Sequence, residues 1–223
     1  MFAETEETIR PVLILEQIVA KLTSDIVHGR IPPGSRLVET DLQKHYGVSR
    51  TPLREAFREL ERKGFVEIVP RKGAYVKELS REECINIYQM RSVLEGLAGS
   101  LAFSKKPELF TACLEKAIGE MKEAYRFMDA QKFLSAHDDF HDAWIMNCDN
   151  PPLTEECRRL RGLTSWHKIS LKLADWNFKT SIAAHGNILK CVAKKGAAPK
   201  EVDEAIRTNI ISAIDRVKGI SRQ

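Results

Sequence analysis

Gly47 to Leu60 reads GVSRTPLREAFREL, and two stripes run through it at helical spacing. Leu53, Phe57 and Leu60 recur at i, i+4 and i+7, an apolar seam that needs a core. Arg50, Arg54 and Arg58 recur at i, i+4 and i+8, a cationic ridge on another face. Ser49 stands where an N-cap belongs, its hydroxyl able to accept from an orphan N–H of the first turn. Pro52 falls inside that turn, where a missing N–H costs little. A short helix with a buried seam and a guanidinium ridge, entered through a tight Gly-Val-Ser turn, has the form of a recognition helix. The alternative is a surface helix whose arginines are solvated between Glu55 and Glu61.

The flanking sequence builds a domain around that helix, over about residues 8–77. Leu15, Ile18, Val19, Leu22 and Ile26 predict an amphipathic helix over 11–28, ended by Gly29. Ile31-Pro-Pro-Gly34 is a turn, and Arg36-Leu37-Val38 predicts a short extended segment. A second helix is predicted from Glu39 to Tyr46, burying Leu42 and Tyr46 and stopped by Gly47. After Gly64, Phe65–Val69 and Gly73–Val76 are short β-rich runs joined by Pro70-Arg71-Lys72-Gly73. Three helices and a basic-tipped hairpin make a winged helix-turn-helix, with Arg71 and Lys72 placed beside a nucleic-acid backbone or minor groove.

Composition agrees with a folded, polyanion-binding protein. Of 223 residues, 43% are apolar and 30% charged, outside the range of disordered chains. The net charge of +4 says little, but seven basic residues lie between Ser49 and Lys72 and outnumber the acidic ones there. No apolar run reaches the roughly 20 residues of a membrane span. The N-terminus MFAETEETIRP is polar, and five scattered cysteines form no CxxC pair; reduced thiols in a cytoplasm are expected.

Gly29 to Val76, GRIPPGSRLVETDLQKHYGVSRTPLREAFRELERKGFVEIVPRKGAYV, strongly resembles the DNA-binding domain of the GntR family of bacterial transcription regulators. The resemblance implies that Arg50, Thr51 and Arg54 contact DNA together with the wing tip Arg71, Lys72 and Gly73, with Ser49 at the helix start beside them. It also implies a homodimer on a palindromic double-stranded operator. Thr40 departs from relatives that carry a further DNA-contacting arginine there.

Residues 78–223 predict an all-α domain. Ser80-Arg-Glu-Glu83 is a capping box opening a helix to about Ser100, with Ile85, Tyr88, Leu94 and Leu97 facing a core and Arg91 in their midst. Further helices are predicted over 107–127, 131–147, 153–175, 181–194 and 199–217. Six helices without a strand signal make a bundle whose interior can house a ligand. His137 and His141 are spaced i, i+4, so both rings project from one helix face and can reach one ion. His185 sits on the fifth helix of the bundle. Phe140 and Trp144 flank the pair, and Trp166 and His167 are weaker cavity candidates. The alternative is a hydrogen-bonded polar pocket without metal.

IYQMRSVLEGLAGSLA, HDDFHDAWIMNCDN and SIAAHGNIL resemble the FCD effector domain of one GntR branch, in its six-helix VanR-like form. That likeness implies a divalent metal held by one Asp and three His, at positions occupied here by His137, His141, His185 and Asn209. Two positions depart: the Asp is His137 and the last His is Asn209. Three imidazoles and an amide oxygen suit ions of the Zn or Ni type. The same likeness implies that Arg91 clamps the carboxylate of a small organic acid, a bidentate task suited to guanidinium. A structural ion pair of Arg91 with Asp138 or Asp139 is the alternative.

The expected protein is therefore a mainly α, ligand-responsive transcription regulator and not an enzyme. Against a metal-dependent hydrolase stands the lack of a general base placed by motif, as HExxH places one. A pure metal sensor is the remaining competitor.

Overall fold

A tight turn at Gly47 fixes the geometry of the first unit: its φ of 66° lies in the left-handed region that glycine adopts at low cost. It separates α2 (Glu39–Tyr46) from α3 (Arg50–Arg62). The computed structural model describes the backbone of residues 11–170 and 178–219, with side chains over 14–164 and 178–215. The chain divides into two compact units, 1–78 and 79–223.

In the first unit α1 (Pro11–Val27) packs on α3. Ile18, Val19, Leu22 and Ile26 meet Leu53, Ala56, Phe57 and Leu60 in one buried seam. Strands β1 (Arg36–Leu37), β2 (Val66–Val69) and β3 (Gly73–Val76) form an antiparallel sheet in the order β1-β3-β2, with Val66 opposite Val76 and Val69 opposite Gly73. The winged helix-turn-helix is complete.

Two local expectations are corrected. Leu42 and Tyr46 are half-buried, and no residue of α2 is buried. The Tyr46 hydroxyl donates to the buried Asp25 carboxylate at 2.7 Å, so its polar end stays at the boundary of the core. Ser49 is the N-cap of α3 in extended geometry (φ −78°, ψ 170°), but its hydroxyl makes no capping bond. Pro52 occupies the third helical position, and proline has no N–H to offer the cap.

The second unit comprises α4 (Arg81–Lys105), α5 (Pro107–Arg126), α6 (Ala130–Ile145), α7 (Pro151–Ser170), α8 (Phe178–Val192) and α9 (Pro199–Gly219). The Ser80 capping box forms: Ser80 accepts from the Glu83 N–H and Glu83 from the Ser80 N–H. Helix α4 runs five residues past Ser100 because nothing breaks it before Pro107, which holds Lys106 out of the α region (φ −144°). The tail of the helix expected to reach Asp175 lies outside the described residues.

Tyr88 is buried and Ile85 and Leu94 pack half-buried against the core, as expected, but Leu97 is 43% exposed, contrary to its expected inward face. The seam against α9 is instead built of small residues. A Cβ on Gly96 would lie 2.1 Å from Asp203 Oδ1, and one on Gly99 2.1 Å from Ile206 Cδ1. Ala98 and Ala102 on the same helix are buried in the core. The rest of the core is aromatic and aliphatic: Phe110, Phe133, Phe140, Trp144, Leu114 and Met121 are fully buried, each such side chain contributing about 1.5–3 kcal/mol. All five cysteines are free thiols, and burial pushes Cys84 and Cys157 up to about 12. Among the described residues no helix is long and apolar enough to cross a membrane.

Candidate functional site

The first candidate surface is the outer side of α3. Burial of Leu53, Phe57 and Leu60 rotates Arg50, Thr51, Arg54 and Arg58 outward, and all four are exposed. Arg50 and Arg54 converge on one carboxylate that the sequence reading did not single out. Glu39 Oε1 accepts from Arg54 Nε at 2.7 Å, and its Oε2 lies 3.0 Å from Arg50 Nε. On the wing, Arg71 adopts φ 65° and Gly73 φ 114°, which closes the turn and leaves Arg71, Lys72 and Gly73 exposed. Arg36 was also missed: its Nε lies 3.5 Å from where a Cβ on Gly73 would stand, adding a third cation to the wing tip. Its place on β1, opposite Tyr75, depends on strand pairing that one sequence does not display.

The second candidate is buried in the helical unit. His137 and His141 project from one face of α6 and His185 reaches them from α8, with their ligand atoms all within 4.8 Å of one another. The three are 4–5% exposed. Phe140 stands edge-on to His185 at 4.7 Å and Trp144 to His141 at 4.9 Å, so aromatic rings wall the cluster as expected. Asn209 is half-buried on α9, its carbonyl accepting from Ser212 Oγ. The side chains of Trp166 and His167 lie outside the described residues.

The hydrogen bonds orient the two rings. His141 Nδ1 lies 3.1 Å from the Glu95 carboxylate, and His185 Nδ1 lies 2.6 Å from the Ser181 carbonyl. With Nδ1 of each ring turned to an oxygen acceptor, Nε2 is the atom left to face a metal ion. The two Nε2 atoms are 3.4 Å apart. Nitrogens on a tetrahedral ion at about 2.0–2.1 Å stand roughly 3.3–3.4 Å from each other, so this pair fits two ligands of one divalent metal, with His137 within 4.8 Å as a third. Glu95 bonded to Nδ1 of a prospective ligand is the outer-shell carboxylate that commonly orients such a ring.

Arg91 is buried, as its place among apolar residues implied, but its partners differ from those expected. Its Nε donates to Glu95 at 2.8 Å and its Nη1 to Thr164 Oγ1 at 2.8 Å. Burial opposes the guanidinium charge, yet Glu95, with smaller help from Tyr88 and Asp138, outweighs it and holds the group above its ordinary value. Glu95 also accepts from Trp144 Nε1 at 3.2 Å, so one fully buried carboxylate ties Arg91, His141 and Trp144 together. Asp138 belongs to another pair: Arg161 bridges Asp138 (2.7 Å) and Asp142 (3.0 Å). Burial raises the Asp142 carboxyl despite that arginine. The i, i+4 spacing of Arg91 and Glu95 was the available sign of their pairing. Thr164, 73 residues away, gave none.

A winged helix-turn-helix followed by an all-α unit with a buried polar cluster defines a class, the two-domain transcription regulators. The pattern of "Bacterial regulatory proteins, gntR family" matches residues 14–76 and that of the FCD domain residues 86–207, so the chain belongs to the GntR family of transcription regulators, in its FCD branch. It is 29% identical over 180 residues to the uncharacterized HTH-type transcriptional regulator YdhC of Bacillus subtilis, covering 80% of each chain. It is 28% identical over 172 residues to a "Probable D-xylose utilization operon transcriptional repressor" of Paenarthrobacter nicotinovorans, covering 76% of this chain and 70% of that one. Among solved structures, E. coli McbR/YncC superposes with a TM-score of 0.77 at 20% identity, over 92% of this chain and 97% of the other. The matched families and relatives are regulators and not enzymes.

Proposed function

We propose that this chain binds a two-fold-symmetric DNA operator as a homodimer and that a small carboxylate, held near a metal in the helical unit, modulates that binding. The observation that carries the proposal is the ridge Arg50–Arg54–Arg58, exposed on a helix whose other side is sealed into a core. Guanidinium groups so presented can form paired hydrogen bonds to guanine edges, with Ser49 and Thr51 at the helix start and Arg71, Lys72 and Gly73 at the wing positioned for phosphates. Dimerisation is supported by Met90, Val93 and Leu97, an i, i+3, i+7 apolar stripe on α4 that is 43–48% exposed. Paired reading heads match half-sites one helical turn apart.

The ligand half rests on charge. His137, His141 and His185 offer neutral imidazoles, with the Asn209 amide as the fourth position the family pattern implies. Glu95 is already balanced by Arg91. A divalent ion there brings two positive charges into a buried site, and an anion offsets them. Arg91 is already paired with Glu95, so what it offers an anion at that wall is not net charge but directed guanidinium N–H donors, its plane fixed by Glu95 and Thr164.

A pure metal sensor is the second reading, favoured by the engagement of Arg91 with Glu95 and Thr164. DNA affinity titrated with metal alone, then with metal and a panel of small carboxylates, separates the two. For the reading head, a duplex selected by the protein from a random library is the probe. Arg54→Ala is expected to lose that duplex by about tenfold or more while the helical unit keeps its thermal transition. Unchanged affinity removes the recognition-helix assignment.

A further inference from the structure

We infer that Glu39 is a positioning residue that sets the sequence specificity of the reading head, by yoking Arg50 and Arg54 through their Nε edges. This rests on the proposed DNA-binding role of α3. One carboxylate is divided between two guanidiniums: Oε1 takes Arg54 Nε at 2.7 Å and Oε2 faces Arg50 Nε at 3.0 Å. The arginines are neighbours on successive turns of α3, each 59% exposed, while Glu39 opens α2 and is only 26% exposed. The carboxylate therefore belongs to the scaffold and the guanidiniums to the surface.

Two consequences follow from that geometry. An arginine reads guanine with two parallel N–H donors. With Arg54 Nε donating to Glu39 and Arg50 Nε drawn to the other oxygen as an ion pair, the Nη1–Nη2 ends are the edges left to face outward, and both guanidiniums enter the groove already gathered on one carboxylate. Preorganised donors lose less freedom on binding, which favours the one base arrangement that matches them. The second consequence is electrostatic. Two guanidiniums and one carboxylate carry a net charge of about +1 instead of +2, so the pair is a weaker counterion for phosphate. Glu39 thus raises discrimination while lowering the sequence-independent hold on DNA. As an exposed ion pair it adds little to folding, which separates its role from a structural one.

The full-length protein would select a preferred duplex from a random library. Affinities for that duplex and a scrambled one of equal composition would then be compared across salt for wild type, Glu39→Gln, Arg54→Ala and the double variant. Glutamine keeps the length, but its single amide oxygen cannot serve both guanidiniums. The expected result is a fall of about tenfold or more in the selected-to-scrambled ratio for Glu39→Gln. Scrambled binding should hold or tighten, and its salt dependence steepen. In the Arg54→Ala background the same substitution should cost much less, because part of what Glu39 positions is gone. A ratio unchanged within about twofold overturns the inference, as does a parallel loss of both affinities or an undiminished effect beside Arg54→Ala. If the wild type selects no sequence, the DNA-reading proposal itself fails and this inference with it.

Discussion

His141 Nε2 and His185 Nε2 face each other across 3.4 Å, while the opposite nitrogen of each ring is engaged by Glu95 and by the Ser181 carbonyl. Two nitrogens so placed in a buried site are bridged by a proton or by a metal ion, and their 3.4 Å spacing matches two ligands on one tetrahedral ion. The protein as purified should carry about one divalent metal per chain, and His141→Ala should lose it. Elemental analysis of untagged protein reads the stoichiometry. Thermal unfolding with and without chelator supplies a second readout, because a ligand at 100 times its Kd adds about 2.7 kcal/mol to the folded state. A wild type without metal, and indifferent to added Zn or Ni, would mean that the cluster is a polar pocket and nothing more.

Glu95 is the group on which the buried charges balance. Glu95→Gln leaves the Arg91 guanidinium, 2% exposed, without its carboxylate. Breaking one half of a buried pair costs about 3–5 kcal/mol, so denaturant midpoints should fall steeply. Replacing both partners removes the stranded charge. Arg91→Met combined with Glu95→Gln should therefore be less destabilising than the sum of the singles, by about 1–3 kcal/mol. Additive losses would show that the two groups are held by other contacts.

The seam between α4 and α9 gives a steric test. Gly99 has no room for a methyl group, since a Cβ would stand 2.1 Å from Ile206 Cδ1, and Ile206 is itself fully buried. Gly99→Ala should destabilise the helical unit by about 1–3 kcal/mol, and Ile206→Val in the same chain should recover part of the loss. Equal stability of wild type and Gly99→Ala would mean that the seam opens freely.

How much of this was legible in sequence depended on the kind of signal. Helix starts marked by Ser80, Pro107 and Pro199 and the turn at Gly47 were readable because capping and turn chemistry is local. The burial of Leu53, Phe57 and Leu60 followed from period alone. What sequence concealed was pairing across distance. Arg91 finds Thr164 and Glu39 finds Arg54, contacts set by which helices lie side by side. The α4 seam was misread because glycine and alanine carry no apolar bulk, so Leu97 was turned inward in place of Gly96 and Gly99. The missing Ser49 capping bond was readable after all, from the proline three residues on.

Asp25 and Tyr46 link α1 to α2, and their pairing has a pH signature. Burial alone would raise the Asp25 carboxyl, but the hydrogen bonds from Tyr46 and Arg30 outweigh it and hold the group below its ordinary value. A carboxyl depressed in the folded state contributes stability above its unfolded pKa of about 3.9 and loses it as pH falls through the folded value. The winged unit should therefore weaken progressively below about pH 4–5, and Asp25→Asn should flatten that acid limb. Tyr46→Phe removes one of the two donors and should cost about 0.5–1.5 kcal/mol at neutral pH, with a smaller loss at low pH, where the protonated carboxyl no longer needs the donor. The burial of Tyr46 drives its phenol in the opposite direction, further above its ordinary value, so no alkaline transition from this residue is expected near neutrality. Far-UV unfolding curves of wild type and the two variants between pH 3 and 8 would read all three slopes. Parallel curves would remove Asp25 as the group that links α1 and α2 to acid stability.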